Sequence, residues 1–141
     1  MKKPAYASAL AAEEAFYAAF ERADADAMRE VWAEAEDIEC IHPLGGRLRG
    51  TGVHESWRDM FAGAERLAFH LSERRVVERD ALTVHLVLEN ILFPDGKEEP
   101  LQVLATNVYR RDRSGWRMVL RHASPAPAIV PQRPPAGGSV H

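Results

Sequence analysis

Residues 67–124 decide the fold, in four runs: "LAFHLSERRVVE" (67–78), "ALTVHLVLENILF" (81–93), "LQVLATNVYRR" (101–111) and "WRMVLRHAS" (116–124). Apolar residues recur there at about every second position, and Val, Ile, Thr and aromatic residues are frequent, so each run predicts a strand. The linkers are short and turn-like, "RDA", "PDGKEEP" and "DRSG". Strands joined this closely pair antiparallel, because a parallel return needs a long crossover. In the last run Trp116, Met118, Leu120, His122 and Ser124 share the expected core face, and Arg117 and Arg121 share the other.

Upstream of residue 67 the period is helical. From Pro4 to Ala23, Phe16 and Phe20 fall on one stripe with Ala9, Ala12 and Ala23. Asp24 or Asp26 can cap a second helix carrying Met28, Val31, Trp32 and Ala35. "DIECIH" then reads as a strand with Ile38, Cys40 and His42 on one face, stopped by Pro43, Gly45 and Gly46. Thr51 can cap a third helix with Val53, Trp57, Met60 or Phe61, and Ala64 as its buried stripe, ended by Gly63. Helices followed by strands predict an α+β fold, in which three N-terminal helices cover one face of a curved antiparallel sheet to form a cone. Such a cone suits a small hydrophobic molecule. Residues 1–126 are read as a single domain and 127–141, rich in Pro and Gly, as a tail that contributes little to folding.

The 141 residues carry a formal net charge of −3 and one cysteine, Cys40. No basic cluster marks a nucleic-acid partner. A lone cysteine excludes an internal disulfide and fits a reducing compartment. Glu13 and Glu14 interrupt the only leader-like apolar run, and no run approaches the roughly 18 apolar residues of a membrane span. The expectation is a cytoplasmic protein without a membrane partner. Six histidines are present, yet none stands in a compact ligand spacing, so neither a metal nor a cofactor is expected.

His42 closes a strand just before Pro43, which biases it toward an extended backbone, while the glycines turn the chain away. It is either a partly exposed turn residue or a proton-handling group facing the cone. His122 is either a hydrogen-bonded core histidine or pocket lining. Asn107 has apolar neighbours and is expected to face inward. Glu89 lies on a strand apolar on both faces, so parity leaves its direction open. If inward, it needs a partner, with His42 or His122 as candidates. His54, His70 and His85 read as surface or sheet-face residues. Phe16, Tyr17, Trp32, Trp57, Phe61 and Tyr109 are candidate walls of the core and pocket.

The order of elements, with "HPLGG", "RGTGVHESWRDMF" and "GWRMVLRHASP" at their places, resembles the nuclear transport factor 2-like superfamily with its cystatin-like fold. The resemblance is to its bacterial branch of SnoaL-like and ketosteroid-isomerase-like proteins, over about residues 8–125. It implies a cofactor-independent site in the cone and a homodimer. His42 stands where the isomerases carry a general-base aspartate, and Asn107 where they carry a protonated aspartate that holds the oxyanion. An amide donates at any pH, whereas an acid must be kept neutral by an apolar site. Their helical tyrosine aligns with Phe16; Tyr17 is one residue off, about 100° around the helix. The resemblance therefore implies ligand binding in the cone, with proton transfer of the isomerase, dehydratase or cyclase type catalysed by His42, Asn107 and His122. The alternative is a binding or dimeric assembly module without chemistry. The expected dimer contact is the outer sheet face around Arg117, Val119 and Arg121.

Overall fold

A computed structural model describes residues 6–96 and 98–127, so the tail expected after Pro127 lies outside the described residues. Two helices come first, α1 (Ala9–Arg22) and α2 (Ala25–Val31), and a third, α3 (Thr51–Phe61), follows two short strands. Ser8 caps α1 by accepting from the Ala11 amide at 3.0 Å, and Asp24, not Asp26, caps α2 by accepting from Ala27 at 3.0 Å. Thr51 does not cap α3. Gly50 holds that position with φ 58°, a left-handed conformation that glycine adopts without steric cost.

The strands are β1 (Glu39–Ile41), β2 (Arg47–Arg49), β3 (Ala68–Arg79), β4 (Leu82–Leu92), β5 (Leu101–Asp112) and β6 (Gly115–Pro125). They form one curved sheet in the order β2-β1-β6-β5-β4-β3. The meander β3 to β6 is antiparallel as its short turns require, but β1 lies parallel to β6, which makes the sheet mixed. The sequence contains room for this, because α3 and four strands separate β1 from β6. The short β2, which is not among the strands expected from the sequence, pairs with β1 as a hairpin. The core fills the space between helices and sheet with Phe16, Met28, Trp32, Ile38, Trp57, Tyr109 and Met118 among its members.

Two bulges set which side chains enter the cone. On β6, Val108 pairs with Leu120 but Tyr109 pairs with Met118, leaving Val119 as an extra residue. A single extra residue reverses every later side chain. Arg121 therefore points inward at 2% exposure, and His122 points outward and is exposed, the reverse of the alternation expected from sequence. Arg117 is also buried, its guanidinium 5.1 Å from the Tyr6 ring, and Val119 is buried too. The expected outer-face contact around Arg117, Val119 and Arg121 is thereby ruled out. On β3 the register shifts between Ser72 and Arg75, with Glu73 at φ 52°.

The β6 bulge generates a contrast that thermal unfolding can read. Val119→Ala trims buried carbon only and should cost about 1–2 kcal/mol, roughly 3–6 °C in a domain of this size. Inserting one alanine between Leu120 and Arg121 shifts the alternation by one, which turns His122 to the interior and expels Arg121, so it should lower the melting midpoint several times further or prevent folding. Equal effects of the two changes would show that the bulge does not fix the facing of β6.

Candidate functional site

Pairing across the sheet places Cys40, Arg121, Asn107 and His85 in one row: Cys40 opposite Arg121, Arg121 opposite Asn107, and Asn107 opposite His85. On β4, Glu89 lies four residues past His85 and so shares its inward face. Helix α1 crosses above this row. Glu13 and Tyr17, one turn apart, face it together.

The result is a continuous buried network. Glu13 is fully buried, and its Oε2 accepts from His85 Nδ1 at 2.9 Å and from the Tyr109 hydroxyl at 3.0 Å. Its Oε1 accepts from Arg74 at 2.8 Å and 2.9 Å. Burial pushes this carboxyl up, but the hydrogen bonds of His85 and Tyr109 and the charges of His85 and Arg74 hold it below its ordinary value. Asn107 donates to the Tyr17 hydroxyl at 2.9 Å and, more weakly, to Glu13 at 3.4 Å. Tyr17 in turn donates to Glu89 Oε2 at 2.5 Å. Arg121 closes the chain with two parallel bonds to Glu89, at 2.6 Å and 3.1 Å, and a third to Asn107 Oδ1 at 3.2 Å. Burial disfavours its charge, yet Glu89 beside it holds the guanidinium protonated above its ordinary value. Burial first, and then the neighbouring carboxylates, raise both the Tyr17 and Tyr109 phenols well above theirs, so both stay neutral.

Several sequence expectations change here. Glu89 faces inward, but its partners are Arg121 and Tyr17, not His42 or His122. His122 lies on the outer sheet face, beside Thr106 and Ser124. His85 and His54 are buried, while His70 is exposed. His42 is half-buried, and its Nε2 lies 2.9 Å from Ser56 Oγ on α3. Because the Ser56 hydroxyl already donates to the Val53 carbonyl at 2.7 Å, the imidazole is the donor through Nε2–H. Its ring stands edge-on to Trp57, 4.8 Å between centroids. Burial and then the Arg121 charge push its pKa down to about 4, so it is neutral at physiological pH. Burial also pushes the neighbouring Cys40 thiol up to about 12.

Phe16, Tyr17, Trp57, Phe61 and Tyr109 are buried as expected of walls, and Trp32 is buried against Met118 through a backbone bridge, on the β6 side of the core. Sequence reasoning missed Glu13, Arg74, His85, Arg121, Ser56 and the half-buried Phe20 and Phe69. Among these only Glu13 left a readable signal, a lone acid beside the apolar stripe of α1. Among the described residues no cluster of three or more His, Cys, Asp or Glu side chains is arranged to hold a metal. No helix among them is long and apolar enough to cross a membrane.

This combination of helices, mixed sheet and filled cone agrees with the family pattern. The sequence pattern of the SnoaL-like domain matches residues 10–129. The chain belongs to the SnoaL-like domain family. A Thiobacillus denitrificans structure, described as a candidate calcium/calmodulin-dependent protein kinase type II association domain, is 42% identical with a TM-score of 0.81, covering 88% of this chain and 99% of that one. A candidate dehydratase of the NTF2-like family from Streptomyces avermitilis is 33% identical with a TM-score of 0.75, covering 83% of this chain and 92% of that one. An NTF2-like superfamily protein from Salmonella enterica, 17% identical with a TM-score of 0.71 and covering 86% and 92%, shares the fold. No curated protein matches the SnoaL-like chain.

The depressed His42 pKa carries a pH signature. The unfolded ring binds its proton near pH 6.5, while the folded ring stays neutral down to about pH 4. The contribution of His42 is therefore complete above about pH 6.5 and is lost as pH falls toward 4. Denaturant unfolding between these values should show stability falling with pH, and His42→Gln should flatten that fall above about pH 5, where Glu13 has yet to take up a proton. An unchanged slope in the variant would contradict the burial of a neutral ring.

Proposed function

We propose that this SnoaL-like domain is a binding module whose cone holds a small, largely apolar molecule carrying an oxygen acceptor. The observation that supports it is a pair of orphaned donors. Arg121 Nε and Trp57 Nε1 are buried, and neither has a hydrogen-bond partner among the described residues. An unmade buried hydrogen bond costs about 1–3 kcal/mol, so a pair of them is a standing demand for an acceptor. Both groups lie against the same two rings. The Arg121 guanidinium is 5.1 Å from Phe16 and 5.7 Å from Phe20, and the Trp57 ring is 5.6 Å and 5.0 Å from them.

Phe20 is the ring that a ligand displaces. It is half-buried and meets Phe61 and Phe69 as well as Trp57, so it closes the aromatic end of the cone. Beside it, a cleft of about 330 Å³ between α1 and β3, lined by Tyr17, Phe69 and Leu71 and by the charged Glu14, Glu21 and Arg74, provides an approach. Binding is favoured over proton transfer because the groups assigned to catalysis are committed elsewhere. Asn107 uses its amide on Tyr17 and Glu13, His42 is a weak base at a pKa of about 4, and His122 is outside the cone. The Streptomyces relative is described as a dehydratase, but here the imidazole beside the orphaned Trp57 N–H, His42, donates to Ser56 and is a weak base.

Acetophenone, an apolar ketone, is a suitable probe. Trp57→Phe keeps the ring and removes the orphaned N–H, so the melting midpoint should hold or rise while acetophenone affinity falls about tenfold, the effect of one lost hydrogen bond. Undiminished affinity in Trp57→Phe would sink the assignment.

A second reading concerns assembly, and the outer sheet face favours it. Leu86 and Leu104 are exposed there beside a shallow groove of about 450 Å³ that also carries Glu73 and Arg75. A second copy of the chain fits this face. A two-fold axis would bring the Arg75 of one protomer toward the Glu73 of its partner while covering the leucines. The Thiobacillus relative, described as an association domain, supports the same direction. Sedimentation at micromolar concentration should give a dimer, and Leu86→Lys with Leu104→Glu should give a monomer. A wild-type protein that stays monomeric would remove this reading.

A further inference from the structure

The chemistry around Arg121 restricts what the acceptor can be, on the reading of the cone as a ligand site given above. Arg121 is buried at 2% exposure, and three of its five N–H groups donate to Glu89 and Asn107. Among its nitrogens Nε alone has no partner. Glu89 fills the end-on fork of the two terminal nitrogens, which leaves the Nε edge, the Nε–H with the outer N–H of Nη2 beside it, to meet a ligand oxygen.

The charges decide what that edge accepts. The buried network contains two carboxylates, Glu13 and Glu89, and two arginines, Arg74 and Arg121, each arginine paired with one carboxylate, while the His85 imidazole is spent on Glu13. The other titratable groups beside Arg121 are Cys40, His42 and Tyr17, all uncharged at neutral pH because burial dominates each. An anionic ligand at Nε would thus sit within one guanidinium width of Glu89 with no unspent cation to balance it. A second negative charge in a water-poor interior costs several kcal/mol unless it is paired. The faces of Phe16 and Phe20, which carry the negative side of the aromatic quadrupole, add to the penalty.

We infer that the site selects neutral carbonyl compounds, such as ketones, aldehydes, esters or amides with an apolar body, over carboxylates and phosphates, and that Glu89 is the residue that sets this selectivity. Glu89 acts through Arg121: it fills the end-on fork and cancels the charge that an anion would seek. Replacing its charge while keeping its shape should convert the preference.

The test compares acetophenone with benzoate, which has nearly the same outline, by calorimetric titration near neutral pH. In the wild-type protein acetophenone should bind roughly tenfold tighter or more. In Glu89→Gln the amide oxygen still accepts from Tyr17 and Arg121 while the arginine charge is released, so benzoate should gain at least about tenfold and become the preferred probe. Benzoate equal to or tighter than acetophenone in the wild type would overturn the inference and leave the binding reading standing. No detectable binding of either at millimolar concentration would overturn both. An unchanged order of preference in a folded Glu89→Gln would overturn the role given to Glu89. Should that variant not fold, phenylphosphonate on the wild-type protein decides: affinity falling from ketone to monoanion to dianion supports the inference, and affinity rising with charge defeats it.

Discussion

A buried guanidinium governs the interior of this protein. Removing an ion of that size from water costs several kcal/mol even after relaxation, so Arg121 can occupy the cone only with a carboxylate of matching geometry in front of it. Glu89 supplies that carboxylate from β4, and the choice of inward face for the whole strand follows. Because Glu89 has lone pairs to spare, Tyr17 reaches it from α1, and Asn107 bridges Tyr17 to Arg121. The second carboxylate, Glu13, repeats the arrangement with Arg74 at the rim and joins the first through Asn107. Helix and sheet are thus held in register by polar contacts as well as by the aromatic core. Breaking one partner of such a set leaves an uncompensated charge, which explains why its members come as a unit.

The fold was legible because both periodicities are strong. The stripe of α1, the capping Asp24 and the four alternating runs after residue 67 all survive in the structure, and the family resemblance is upheld by the SnoaL-like match. The site was much less so. Parity along "WRMVLRHAS" places His122 inside and Arg121 outside, and it fails at Val119, because a bulge depends on how two strands meet and not on the composition of either. The same limit hid Arg74, which a second bulge on β3 separates from its neighbours. Glu89 was undecidable for another reason: Leu86 and Leu88 make the outer face of β4 nearly as apolar as the inner one. His42 was placed on the correct face with Ile38 and Cys40, but its partner Ser56 belongs to α3, and no spacing rule links the two.

The sequence resemblance to ketosteroid isomerases, which sets Phe16 where they carry a tyrosine, gains a detail at α1. A tyrosine displaced by one residue from the expected position points about 100° away on an isolated helix. In this chain both Phe16 and Tyr17 are buried, because α1 is covered over a broad arc by the sheet and by α3, and the phenol still reaches the polar row. With the amide of Asn107 and the neutral imidazole of His42, this phenol makes a set of groups that donates hydrogen bonds well and removes protons poorly.

The bulge on β3 has a bearing on how the chain behaves in a crowded solution. β3 is the outermost strand of its side of the sheet, twelve residues long, with Val76 and Val77 exposed on it. A flat, apolar strand of that length with an open row of amides and carbonyls is a template for stacking chain upon chain into insoluble fibres. The left-handed residue Glu73 interrupts the row, and Arg74, Arg75, Glu78 and Arg79 crowd the strand with charge. The irregularity that turns Arg74 toward Glu13 therefore also guards the protein against sticking to its own kind edge to edge, and a substitution that straightened it would expose the molecule to aggregation well before it unfolded.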